Sequence, residues 1–309
     1  STLSVRLGRN IAEPPGQIDL RVPSLEAGGQ SFDDVRLATK MEWSKQSVLS
    51  LINKAQFGLS GRSYDLAANV VLPSDGLKIE GITLRGDHLN LEGEIALPNY
   101  EPPLRGKIAL TNLDAEMLAD FGIPLANGTV TADVGFTPDG ARQTVTLSAL
   151  AKGLRMAGET DANPVMIEDV QITASVENAF DTPEISATLD GQDIVADALA
   201  INDITLGVQG GLDALGISLT GDGVYQGNVP LKTDLAAEIA LGSDISVLAN
   251  KFDVAIGDQT IALRKPLQVV LAEDGRQQVL ADLKIGSGQL VATIDQEAGQ
   301  KSIAGDVAL

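Results

Sequence analysis

The chain has no cysteine, one histidine (His88), one tryptophan (Trp43) and only 3% aromatic residues. Each shortage closes off some chemistry. Without cysteine there is no disulfide, no zinc–thiolate centre and no thiol nucleophile. A cysteine-free chain also fits an oxidising compartment such as the periplasm. With one histidine, a Ser-His-Asp triad or an imidazole metal site would have to use His88. That residue lies between Asp87 and Leu89 at the start of an alternating stretch, and is expected to be an exposed strand-end residue. Aspartate and glutamate are plentiful, but a sugar-cleaving carboxylate pair needs a cleft, usually with aromatic platforms, and aromatics are scarce. Basic residues number 22 against 42 acidic ones, a net charge of −20. That balance argues against nucleic acid and against polybasic adhesion to anionic bilayers. A well-solvated acidic outer face is the expected use of the charge. No apolar run reaches the ~18 residues that a membrane-spanning helix needs, and no signal peptide opens the sequence. Gly221-Asp222-Gly223 lacks the further glycine and following helix of a dinucleotide loop. The sequence therefore predicts no enzyme, no cofactor and no metal.

What is abundant is aliphatic and periodic. Hydrophobic residues make up 44% of the chain, nearly all Leu, Ile, Val and Ala. Six dipeptides carry the chemistry of tight turns: Asp75-Gly76, Asn127-Gly128, Asp139-Gly140, Asp190-Gly191, Asp222-Gly223 and Asp274-Gly275. Between them run stretches that alternate apolar and polar, such as Leu89–Glu92, Glu94–Leu97, Thr129–Val134, Thr144–Leu147, Glu184–Leu189 and Ala281–Ile285. Period-two alternation marks strands with one greasy and one wet face, whose register cannot slip by one residue without turning the apolar set to water. A short pattern recurs at irregular intervals: Phe32-Asp33-Asp34-Val35-Arg36-Leu37, Ile79-Glu80-Gly81-Ile82-Thr83-Leu84, Ile167-Glu168-Asp169-Val170-Gln171-Ile172 and Ile201-Asn202-Asp203-Ile204-Thr205-Leu206. Its Asp or Gly is expected to make a turn or bulge that sends a strand onward. Asn112–Gly122 reads as a short helix with Asp114 as N-cap and Met117, Leu118 and Phe121 on one face. Ser44–Lys54 is a second helical candidate, or else two short strands. Pro14-Pro15-Gly16 and Tyr100–Pro103 read as loops at strand ends, and no linker interrupts the chain, so residues 1–309 are expected to form one continuous unit. Both ends begin and stop in strand-like pattern, as in a fragment of something longer.

A one-faced sheet must bury its apolar side. For so long a chain the expected fold is all-β: a sheet curled lengthwise into a trough with an apolar groove and one or two short helices. Roughly 20–25 strands at about 4.8 Å spacing would make it on the order of 100 Å long. The residues expected to line the groove are Val35, Leu37, Ile82, Leu84, Leu89, Leu91, Val170, Ile172, Ile204 and Leu206. The competing expectation is that they fill a closed core.

The run Leu97-Pro98-Asn99-Tyr100-Glu101-Pro102-Pro103-Leu104-Arg105-Gly106-Lys107-Ile108-Ala109-Leu110 resembles the TamB family of the AsmA-like superfamily. So do Asn112-Leu113-Asp114, Gly122-Ile123-Pro124-Leu125, Asn228-Val229-Pro230-Leu231 and Ile256–Leu267, within a likeness extending from about Ile18 to Ile294. The resemblance implies a "β-taco" with a hydrophobic groove, anchored in the inner membrane of a Gram-negative bacterium by an N-terminal helix and extending through the periplasm. It implies transport of phospholipid toward the outer membrane, with acyl chains as the groove's occupants. It also implies an alternative role, as a platform that guides insertion of outer-membrane barrels or autotransporters together with a barrel partner of the TamA type. Neither the anchor nor the family's C-terminal, barrel-facing region is recognisable in this sequence, as expected of a middle section. No catalytic residue comes with the family.

Overall fold

Glycine and aspartate punctuation, β-branched and aliphatic content, and period-two patterning all favour extended backbone, and the computed structural model is built of strands. It describes residues 2–7, 16–27, 30–43, 49–59, 61–114, 117, 125–156, 165–297 and 300–308. The chain divides into two compact units, Ser1–Ala149 and Leu150–Leu309. The first contains β1 (Thr2–Leu7), β2 (Gly16–Ala27), β3 (Gln30–Trp43), β4 (Leu49–Leu59), β5 (Arg62–Leu72), β6 (Gly76–Gly86), β7 (Leu89–Pro98), β8 (Arg105–Asp114) and β9 (Leu125–Asp139). The division falls within β10 (Arg142–Met156). The second unit continues with β11 (Val165–Glu177), β12 (Glu184–Ala196), β13 (Leu199–Gly211), β14 (Ala214–Tyr225), β15 (Val229–Leu241) and β16 (Ile245–Ile256). It ends with β17 (Gln259–Leu271), β18 (Gln277–Ile285), β19 (Gly288–Glu297) and β20 (Gln300–Ala308). Within each unit every strand pairs antiparallel with the next in sequence, β1 through β9 and β11 through β20. The fold is an all-β, open antiparallel meander.

The turn chemistry is partly where the dipeptides place it. Asp75-Gly76 and Asp274-Gly275 join β5 to β6 and β17 to β18, and Asp139-Gly140 joins β9 to β10. Asn127-Gly128, Asp190-Gly191 and Asp222-Gly223 instead lie inside β9, β12 and β14. The reason is visible at Gly223. A Cβ there would come within 2.2 Å of the Ala200 carbonyl oxygen on the neighbouring strand, so the glycine serves close strand approach rather than chain reversal. Many actual reversals use other residues, such as Asp197-Ala198 and Leu212-Asp213, with Asp197 at φ 51°.

Among the described residues there is no α-helix. Asn112, Leu113 and Asp114 end strand β8, and Leu49–Lys54 belong to strand β4. In both cases cross-strand pairing overrides helical spacing: Leu89 faces Leu113, and Leu51 faces Val70. The remainder of the two helical candidates, apart from Met117, lies outside the described residues.

The recurring pattern is a bulge device. Its apolar positions are spaced three and then two residues apart, so in a regular strand the first would point to the wrong face. An extra residue in the ladder restores it. Register shifts fall between Asp33 and Arg36, between Ile79 and Ile82, and between Ile201 and Asp203. Asp34 and Gly81 take φ of 45° and 58° to absorb the extra residue. In the Ile167 copy the β11–β12 ladder keeps its register, and the positive φ falls on Asp193 of β12 instead.

Candidate functional site

In antiparallel pairs, directly opposed residues share a face. Following the register across the first unit from Leu20 gives Leu37, Ala55, Leu66, Leu84, Leu91, Leu110 and Ala132, one residue per strand from β2 to β9. In the second unit the same exercise from Ile172 gives Leu189, Leu206, Leu219, Leu235 and Phe252. A further row there runs from Val176 through Ile185, Gly210, Leu215, Ile239, Val247, Val269 and Val279 to Ile294. Each unit thus carries aliphatic ladders at right angles to its strands.

The ten residues singled out from sequence all fall on these faces. Leu37, Leu84 and Leu91 are in the first ladder, with Val35, Ile82 and Leu89 two positions along their strands. Ile172 and Leu206 are in the second, with Val170 opposite Gly191 and Ile204 opposite Gly191 and Gly221. All ten are half-buried: none is sequestered from solvent and none is fully exposed. A closed core buries such side chains completely. Among the described residues the buried hydrophobic side chains are Tyr64, Met117, Leu125 and Ala249, too few for a packed second layer. Leu66, in the middle of the first ladder, is 37% exposed.

One margin of the first unit's apolar face is closed. Phe57 lies opposite Tyr64, and Tyr64 opposite Gly86. The Phe57 and Tyr64 rings stack at 5.4 Å, and Phe32 meets Phe57 edge-on at 5.6 Å. Gly86 makes room for this: a Cβ there would stand 2.8 Å from the Tyr64 ring. The Tyr64 hydroxyl points at the Met117 sulfur, 4.0 Å away. Asp114, at the end of β8, is fixed to His88: its amide donates to the His88 carbonyl at 2.9 Å and its carboxylate pairs with His88 Nδ1. His88 is thus an exposed turn residue engaged in a structural clasp. Polar side chains that fall on the apolar face satisfy each other. The Thr39 hydroxyl donates to Asn53 Oδ1 at 2.8 Å, and Asn53 Nδ2 donates to the Leu51 carbonyl at 2.9 Å.

The opposite faces are charged. The row Arg21, Arg36, Gln56, Asp65, Arg85 crosses β2 to β6. Arg21 and Arg36 both bond Asp34, at 3.1 and 2.5 Å, and hold its carboxyl below the ordinary aspartate value, Arg36 most strongly. In the second unit Lys251 donates to Asp234 at 2.5 Å, which raises the lysine's pKa. A cleft of about 810 Å³ is bordered by Arg21, Arg36, Lys54, Asp65 and Arg85. Another, of about 410 Å³, is bordered by Asp203, Asp222, Lys232, Asp234 and Asp253. Leu37 borders the first; none of the ten predicted lining residues borders the second. The first cleft is bordered as well by Leu20, Ala55 and Leu66 of the aliphatic ladder, so charged and apolar rows share its rim. Among the described residues no three His, Asp or Glu side chains converge as a metal site would require. No family model, no curated protein and no solved structure matches the chain.

Proposed function

We propose that the chain is a non-enzymatic carrier of phospholipid. The acyl chains lie on the aliphatic faces of the two units, and the charged outer faces stay in water. The observation that supports this is the half-burial of the ten aliphatic residues named from the sequence: their faces are apolar enough to hold hydrocarbon, and among the described residues only Tyr64, Met117, Leu125 and Ala249 are fully buried hydrophobic side chains. Burial of each CH₂ contributes about 0.8 kcal/mol without directional contacts. A ladder of Leu, Ile, Val and Ala offers no polar anchor, so a bound chain is free to slide. On this reading the chain belongs with the TamB-family, AsmA-like proteins of the Gram-negative periplasm. The full-length protein would be anchored in the inner membrane and would work with an outer-membrane barrel of the TamA type. Neither cofactor nor metal takes part.

The test is a native mass spectrum of the purified chain together with two substitutions. Co-purified phospholipid is the expected result; a bound peptide in its place would favour a platform for nascent outer-membrane strands. Leu84→Asp and Ile172→Asp are expected to block lipid photocrosslinking and transfer while circular dichroism stays that of a folded β protein. Transfer unaffected by both changes would exclude the ladders as the carrying surface.

A further inference from the structure

The charged cleft of the first unit, about 810 Å³ in volume, reverses the charge balance of the chain. Four cations border it, Arg21, Arg36, Lys54 and Arg85, against two carboxylates, Asp19 and Asp65. The whole chain has 22 basic and 42 acidic residues. The second unit's cleft has Lys232 alone against four aspartates. Arg21 and Arg36 stand directly opposite each other across the β2–β3 ladder, where like charges repel. Asp34 relieves that repulsion and fixes both side chains. It accepts from Nε and Nη2 of Arg21 at 3.3 and 3.1 Å, and from Nε and Nη2 of Arg36 at 3.4 and 2.5 Å. A guanidinium carries five N–H donors. Each arginine therefore keeps both Nη1 hydrogens and one on Nη2, and no other acceptor meets them among the described residues. The Lys54 ammonium has no hydrogen-bond or ion-pair partner among the described residues. Lys54 lies diagonally across from Arg36, about 7–8 Å away, and faces Ala38 on one side and Ala67, then Thr83, on the other. These short side chains leave the space that the cleft occupies. The bordering carboxylates are engaged with amides, Asp19 with Gln17 and Asp65 with Gln56.

We propose that this cleft binds a phosphate monoester, its phosphate held by the unspent N–H groups of Arg21 and Arg36 and by Lys54, and its hydroxyl-bearing remainder lying over Ala67 and Thr83. Planar guanidinium forks match phosphate oxygens in pairs, and lysine adds a point charge. Asp34 already holds the two forks side by side, so less ordering is lost on binding. The volume falls in the usual range of small-molecule sites, roughly 300–1,000 Å³. The chain's net charge of −20 does not forbid an anion here: exposed charges farther off than about 8 Å are largely screened at physiological salt, whereas contact pairs are not. A soluble ester and a lipid headgroup of the phosphatidic acid type present the same chemistry. The site draws on the charged rows, so it does not rest on the carrier reading.

The test is a titration of the full chain with glycerol 3-phosphate, followed by backbone amide NMR. The expected result is saturable shifts at residues 19–21, 36–38, 54–56 and 65–67, and no response to glycerol. Lys54→Ala and Arg21→Ala are each expected to weaken binding at least fivefold. Lys251→Ala, which removes a lysine paired with Asp234 in the second unit, is expected to leave it unchanged. Sedimentation with phosphatidylcholine vesicles, with and without phosphatidic acid, separates the two sources. Extra binding that phosphatidic acid brings and Lys54→Ala removes assigns a lipid headgroup. Binding of glycerol 3-phosphate without that extra assigns a soluble ester. Absence of both, or binding that survives Lys54→Ala and Arg21→Ala undiminished, would overturn the proposal. The carrier function stands or falls separately, on the phospholipid found by native mass spectrometry.

Discussion

The Tyr64 ring occupies space that exists only because residue 86 has no side chain. Gly86→Ala sets a methyl 2.8 Å from that ring, and neither the ring, stacked on Phe57, nor the strand below has an easy direction in which to yield. Overpacking of this kind costs about 1–3 kcal/mol, and urea unfolding of Gly86→Ala against wild type should show it as a lower midpoint with unchanged slope. The Asp34 carboxylate illustrates the opposite face. Its folded pKa is depressed by Arg36 and Arg21, so the stability it contributes is present above the unfolded value of about 4 and is lost as pH falls through the folded value. Both groups are well exposed, so that contribution is small. The expected outcome of a carboxyl NMR titration is that Asp34 titrates below 3.8 in wild type and moves back up toward 3.8 in Arg36→Ala.

At the scale of the strand, the bulge is the device that makes the repeat intelligible. Gly81 has φ 58°, and a Cβ there would meet nothing within 4 Å, so substitution is limited by backbone strain alone. Its counterpart Asp34 adopts φ 45° with a short polar side chain, as Asn and Asp do more readily than other non-glycine residues. Gly81→Asn should therefore unfold within a few tenths of a kcal/mol of wild type. Gly81→Val should lose about 1–2 kcal/mol, measured by the same urea titration; equal stability of the two would mean that the positive φ does not constrain the position. The alternation that defines each strand is local, so strands could be found in the amino-acid order, and the apolar spacing of Phe32, Val35 and Leu37 marks a bulge before any fold is known. Turns were less legible, because Asp-Gly and Asn-Gly satisfy two different needs. At Asp274-Gly275 the pair reverses the chain, while at Asp222-Gly223 the glycine lets a neighbouring carbonyl approach, and nothing within the dipeptide separates the cases. Leu49–Lys54 stayed open between helix and strand for a similar reason: Leu51 and Ile52 share a helical face with Val48, yet the partners that decide their conformation, Val70 and Asn69, are remote in sequence.

For the whole chain, the aliphatic faces could be anticipated one strand at a time, but the union of Leu20, Leu37, Leu66, Leu84, Leu91 and Leu110 into one row depends on register across many hairpins. The Tyr64–Met117 contact was out of reach for the same reason, since 53 residues separate the partners. Charge, by contrast, needs no register. Ser1–Ala149 holds 13 basic and 18 acidic residues, a net of −5, and Leu150–Leu309 holds 9 and 24, a net of −15. Like charges at this density oppose compaction. Salt screens them, shortening the Debye length from about 30 Å at 0.01 M to about 3 Å at 1 M, so the second unit has more to gain from added salt than the first. Salt also strengthens apolar burial generally, which would act on both units alike, so the informative quantity is the difference between them. Hydrogen exchange measured peptide by peptide in low and high sodium chloride should show protection rising more across residues 165–297 than across residues 16–114. An equal rise would assign the salt effect to apolar burial alone, and a larger rise in the first unit would mean that the acidic side chains of the second are already neutralised by something bound to them.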